Sequence, residues 1–458
     1  MIVARYADGV KRSRGVPARS SRSLVNERNV DVSTVTYLPS LRGEEQLLGL
    51  FPISRPSANW MHNYRTVVYA FARQLEMRAP RIYASDAYQA SRSCFETDIA
   101  WSPMRWLGFV FLLAACSLSA QTSLVPEIQY RSVPDFLHLP ADLYFGEVTG
   151  VAVNSKGHIF VFSRGNTTGP AYGAAAAQLL EFGSDGKFLR EIGHNLYAWS
   201  YAHTVKIDPQ DNIWVTDKGS DVIVKFTPEG RVSMVFGRKQ EASDDRTGPL
   251  KEVQPPLPPE DGLFRQVTDV AWDSAGNSYI SDGYINSRIA KVDHDGNWLK
   301  SWGEPGDKPG QFDTPHSIAV DAQDNIYVAD RGNHRIQVFD RNGKFLRQIT
   351  IDVPVPPDAR PAIGNKTDHP SGSRTPGSPW AICITPPPHQ VLFSSDAFPG
   401  RIYKLSLDGK VLGIFGKSGK QLGQFGWIHE IACPSENELY VAELLNWRVQ
   451  KILLEAAH

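Results

Sequence analysis

From about residue 144 onward, short apolar runs of four to six residues alternate with polar turns rich in Asn, Asp and Gly. The clearest unit is GQFDTPHSIAVDAQDNIYVADRGNHRIQVFDRNGKFLRQI, residues 310–349. It reads as an apolar run, a turn at Asp324-Asn325, the run IYVAD, a turn at Gly332-Asn333, the run RIQVF, and a turn at Asn342-Gly343 before a fourth run. Runs this short, separated by such turns, predict four antiparallel strands.

The unit recurs. First runs are VTGVAV (148–153), AHTVKI (202–207), VTDVAW (267–272), PHSIAV (315–320), PWAICI (379–384) and IHEIAC (428–433). Second runs are HIFVFSR, NIWVTD, NSYISD, NIYVAD, QVLFSSD and ELYVAE. Six four-stranded units predict an all-β six-bladed β-propeller. The last unit lacks a fourth strand, and EIQYRSVP (127–134) is expected to supply it and close the ring. The runs are apolar without strict alternation because blades are covered on both faces.

Residues 104–120, MRWLGFVFLLAACSLSA, have the layout of a secretory signal: a basic start, an apolar stretch and small residues. The apolar stretch is too short for a membrane span. LAAC (113–116) also fits lipoprotein processing at Cys116, so a lipid anchor and a soluble exported form both stay open. Residues 1–103, rich in Arg and without periodicity, are expected to be a mis-assigned start or a disordered extension. The propeller is assigned to 121–458, in a periplasmic, secreted or envelope-anchored protein.

Composition narrows this reading only a little. With 41% apolar and 21% charged residues, the chain is of the soluble globular class. A formal net charge of −1 offers no basic footprint for nucleic acid. Of the four cysteines, Cys383 and Cys433 fall in predicted strands, where a bridge and two buried thiols are both open.

The candidate chemistry lies at the starts of alternate first runs. His203, His316 and His429 are separated by equal intervals of 113 residues, from 203 to 316 and from 316 to 429. First strands line a propeller's channel, and alternate blades of six are related by about 120°. The three imidazoles are therefore expected to converge, with Thr149, Thr268 and Trp380 at the intervening positions. Three histidines with an open position suit catalytic zinc, the closed-shell choice among metals that imidazole binds.

The repeat resembles the NHL type, and with these histidines it resembles the peptidyl-α-hydroxyglycine α-amidating lyases over about residues 144–454. The resemblance implies zinc on His203, His316 and His429, and a catalytic tyrosine at Tyr284 in SDGYINSRI. It implies active-site arginines at Arg164 in VFSRGN and Arg331 in VADRGNHRI. It also implies calcium near Val151, Val205 and Glu430, with Glu430 standing where the family has aspartate. Ile285 replaces the cysteine that the animal enzymes carry beside the tyrosine, and any hydroxylated peptide is expected to be made elsewhere.

The implied substrate is a small peptide ending in α-hydroxyglycine, bound by a monomer. Two other readings remain. One is a non-catalytic propeller that binds protein or glycan and has a structural metal. The other is a metal-dependent hydrolase or lactonase, which would lean on carboxylate ligands, chiefly Glu430. Asp217, Asp282, Asp330 and Asp396 recur at second-run ends and read as turn residues. His334, His294, His369 and His389 read as turn or loop histidines outside any site.

Overall fold

A computed structural model describes residues 125–165, 177–239, 258–364 and 372–455. The segments 1–103 and 104–120 lie outside the described residues. The described strands form six four-stranded antiparallel sheets. Blade 1 holds Val148–Val153, Ile159–Ser163, Gln178–Phe182 and Phe188–Ile192; blade 2 holds Ala202–Ile207, Ile213–Asp217, Val222–Phe226 and Val232–Gly237. Blade 3 holds Asp269–Trp272, Ser278–Asp282, Arg288–Val292 and Trp298–Trp302; blade 4 holds Pro315–Val320, Ile326–Asp330, Arg335–Phe339 and Phe345–Ile349. Blade 5 holds Ile382–Ile384, Leu392–Ser395, Ile402–Leu405 and Val411–Phe415. Blade 6 holds Ile428–Ser435, Glu438–Glu443 and Arg448–Leu454, and its outer strand is Tyr130–Val133. Tyr130 pairs with Leu454 and Val133 with Lys451, so the two ends of the described chain share one sheet.

The core sits between blades rather than in one centre. Phe162 and Trp199 of the first seam pack against Val205 and Val215 of blade 2. Tyr327 of blade 4 meets Leu392 and Leu405 of blade 5. Tyr440 and Ala442 of blade 6 meet Val148 and Val161 of blade 1, which closes the ring. Second strands are buried on both faces, as in Ile326–Asp330, whereas outer strands such as Phe345–Ile349 alternate. Each fully buried Phe or Leu in these seams contributes about 1.5–3 kcal/mol.

The aspartates at second-strand ends act as turn anchors. Asp217 accepts from the backbone of Ser200, Tyr201, Gly219 and Ser220. Asp330 accepts from Asp313 N, Asn333 and Arg335, and Asp396 accepts from Gly377 N, Gly400 N and the Tyr403 hydroxyl. Cys383 and Cys433 form a disulfide, Cα atoms 6.2 Å apart, between the first strands of blades 5 and 6. Among the described residues no helix is long and apolar enough to cross a membrane.

Candidate metal centre and active site

Each site histidine occupies a fault in its strand ladder. In blade 2, Ala202 pairs with Asp217 and Thr204 with Thr216, which leaves His203 out of register. The same skip falls at His316, between Pro315 and Ser317, and at His429, between Ile428 and Glu430. A bulged residue is released from the pleat and re-aimed, here toward the channel. The backbone enters two of these bulges through left-handed residues, Thr314 (φ 60°) and Trp427 (φ 57°), two positions ahead of His316 and His429.

The intervening blades orient the imidazoles. His203 Nδ1 lies 2.7 Å from Thr268 O, His316 Nδ1 2.7 Å from Trp380 O, and His429 Nδ1 2.7 Å from Thr149 O. A carbonyl can only accept, so each Nδ1 carries the proton and donates, leaving Nε2 as the bare nitrogen. The ring centroids are 4.6 to 4.9 Å apart, and one ligating nitrogen from each ring lies within 4.8 Å of the others. All three are buried, and His316 Nε2 has no protein partner.

Burial holds all three imidazoles well below their ordinary range. The neighbouring histidines and the cations Arg164, Lys218 and Arg331 add to this. Neutral rings with fixed tautomers, their free nitrogens gathered at one place and that of His316 unpartnered, fit a three-histidine metal ion.

Tyr284 stands over this cluster, its hydroxyl 3.3 Å from His203 Nε2. Gly283 brings it there: a Cβ at Gly283 would lie 2.0 Å from Pro315 O, so only glycine lets the chain pass the residue before His316. Burial alone would raise the Tyr284 phenol, but Arg331, Lys218 and Arg164 outweigh it and lower it below 10.

Arg331 lies 5.4 Å from the Tyr284 ring centre and 4.6 Å from that of Trp380, and its buried Nε has no partner. Arg164 stacks on Tyr201 at 3.7 Å, pairs with Glu147 and donates to Ala202 O at 3.3 Å. Lys218, absent from the sequence expectations, places Nζ 3.6 Å from the Tyr284 ring centre. Its only sequence signal is its place one residue after Asp217, the turn anchor of blade 2.

The donor set expected for calcium is arranged differently. Glu430 meets the backbone of Val205, whose N–H donates to Oε2 at 3.4 Å, and Val151 is buried on the neighbouring first strand. Glu430 Oε1, however, is 2.6 Å from Lys206 Nζ. Burial raises the Glu430 carboxyl and Asp269 adds to this, while the Lys206 ammonium opposes it and is itself held charged by Asp269 and Glu430. A carboxylate already holding an ammonium does not fit a divalent cation, and it leaves the hydrolase reading without its chief carboxylate ligand. His334 Nε2 contacts Gly372 O at 2.8 Å, away from the centre, and His294 is exposed beside Asp295; His369 lies outside the described residues.

Fold and site together define a six-bladed β-propeller with a three-histidine channel centre. A family model for the NHL repeat matches residues 312–339. The chain is 32% identical over 228 residues to peptidylglycine alpha-amidating monooxygenase of Rattus norvegicus, covering 44% of this chain and 22% of that protein. It is 25% identical over 339 residues to peptidyl-alpha-hydroxyglycine alpha-amidating lyase 1 of Drosophila melanogaster, covering 67% of this chain and 57% of that one. It is also 31% identical over 221 residues to NHL repeat-containing protein 3 of Mus musculus, covering 45% of this chain and 56% of the relative. The chain thus spans less than two thirds of the length of each of these relatives. It is a six-bladed propeller with one matched NHL repeat, similar over part of its length to proteins named as peptidyl-alpha-hydroxyglycine alpha-amidating lyases.

Proposed function

We propose that this protein is a zinc-dependent lyase that cleaves the C–N bond of a peptidyl α-hydroxyglycine, releasing a peptide amide and glyoxylate. The carrying observation is Tyr284: a half-buried phenol ringed by cations, 3.3 Å from the bare nitrogen of His203. His203, His316 and His429 would hold the zinc, which as a Lewis acid lowers the pKa of a bound hydroxyl.

Tyr284, as phenolate, takes the carbinol proton. The O–H electron pair becomes the second C–O bond of the aldehyde, the C–N bond breaks with its pair on the amide nitrogen, and Tyr284 returns the proton to that nitrogen. Arg331 receives the substrate carboxylate, because a planar guanidinium with an unpaired Nε–H matches its geometry. Arg164, held by Glu147 and Tyr201, supplies a second fixed positive charge. Lys218 keeps the phenol acidic from the face of its ring.

The substrate would be a small peptide, and the hydroxylation that makes it belongs to another protein or domain. The inter-blade disulfide supports an exported protein, because such bonds persist in oxidising compartments. Self-closure through Tyr130–Val133 supports a monomer. The test is to incubate the metal-replete protein with a peptide ending in α-hydroxyglycine. Equimolar glyoxylate and peptide amide are expected, and release no faster than in buffer rejects the assignment.

A further inference from the structure

Beyond the histidines, the channel holds a charged cluster drawn from three blades, a partly exposed lysine on two buried acids. Lys206 of blade 2 places Nζ 2.6 Å from Glu430 Oε1 of blade 6 and 3.4 Å from Asp269 Oδ2 of blade 3. Both acids are buried, Glu430 at 2% exposure and Asp269 at 0%. Their other bonds are fixed: Asp269 accepts from Ser317 Oγ at 2.9 Å, Ile318 N at 3.0 Å and Val270 N at 2.8 Å. Glu430 accepts from Val205 N. The lysine stem lines a cavity of about 600 Å³ at the end of the channel away from Tyr284.

A calcium ion takes six to eight oxygens at about 2.3–2.6 Å. The ammonium already stands 2.6 Å from the carboxylate oxygen such an ion would need. Two cations on one buried carboxylate repel strongly where the dielectric is low. Removing the ammonium would leave two buried carboxylates without their cation, the usual demand for a metal.

We infer that Lys206 is a resident cation that takes the place of a divalent ion at the channel centre, joining blades 2, 3 and 6 without calcium. The inference holds whether or not the chain is a lyase, and its test reads melting and metal content rather than turnover.

The protein is stripped with chelator, reloaded with zinc alone, and melted with and without excess calcium. Wild type is expected to keep one melting temperature under both conditions and to bind no calcium in a titration. Lys206→Met is expected to melt lower and to recover when calcium is added. Lys206→Arg, which keeps the cation, should behave as wild type. If Lys206→Met does not fold alone, folding it with calcium present should yield soluble protein, and failure there counts against the inference. Calcium bound by the wild type with a raised melting temperature overturns it, as does a Lys206→Met protein that is indifferent to calcium.

Discussion

His316 Nδ1 donates to the carbonyl of Trp380 at 2.7 Å, one blade further round the ring. His203 and His429 repeat the bond onto Thr268 and Thr149. Histidine blades thus alternate with acceptor blades, and the propeller's symmetry sets both the tautomer and the aim of the ligands. The metal-free protein is expected to show all three rings protonated at Nδ1 by nitrogen-15 side-chain NMR. An Nε2–H signal from any of them would contradict this orientation.

Tyr284→Phe removes the proposed base and leaves the ring in place. It is expected to lower kcat by roughly 10²–10⁴-fold, with zinc content and melting temperature close to wild type. A binding propeller with a structural metal would instead show no turnover to lose. An unchanged kcat would remove Tyr284 from the chemistry.

The cations around Tyr284 set the sign of a pH effect. They hold the phenol below 10, so phenolate forms, and kcat/KM rises, as pH climbs through that lowered value. Lys218→Met deletes one lowering charge and should move this limb to higher pH. A limb that stays fixed while Tyr284→Phe abolishes it would show that Lys218 does not act through the phenol.

Arg331→Lys keeps the charge and loses the planar fork. Since hydrogen bonds to charged groups contribute about 1.5–3 kcal/mol, kcat/KM should fall roughly tenfold to a hundredfold. The difference should shrink with a substrate whose terminal carboxylate is masked as an ester. Equal losses on both substrates would place Arg331 elsewhere in the reaction.

Much of this was legible in the chain. The six repeats, the closing strand and the equal 113-residue intervals place three histidines on alternate blades. Thr149, Thr268 and Trp380 were marked by position, but their role runs through backbone carbonyls, which carry no sequence signature. Lys218 and Lys206 carry no motif of their own, because each acts through partners distant in the chain: Tyr284 for one, Glu430 and Asp269 for the other. Lys206 is for that reason the residue that the calcium expectation left out. Cys383 and Cys433 lie 50 residues apart on adjacent blades, and only the ring geometry brings them together.

The Cys383–Cys433 bond closes a loop of that length across the seam of blades 5 and 6. Replacing both by serine is expected to cost about 2–4 kcal/mol in unfolding by denaturant. Stability equal to wild type, under conditions that keep the wild-type bond oxidised, would mean that the bond does not constrain the unfolded chain.

Three bulged histidines are proposed to hold one catalytic zinc, and elemental analysis of purified protein tests this most directly. Metal-replete wild type should carry about one zinc per chain, the complement of a three-histidine site. His316→Ala, folded by circular dichroism, should carry almost none. Zinc-free wild type, or a folded His316→Ala that keeps its full zinc, would contradict the account.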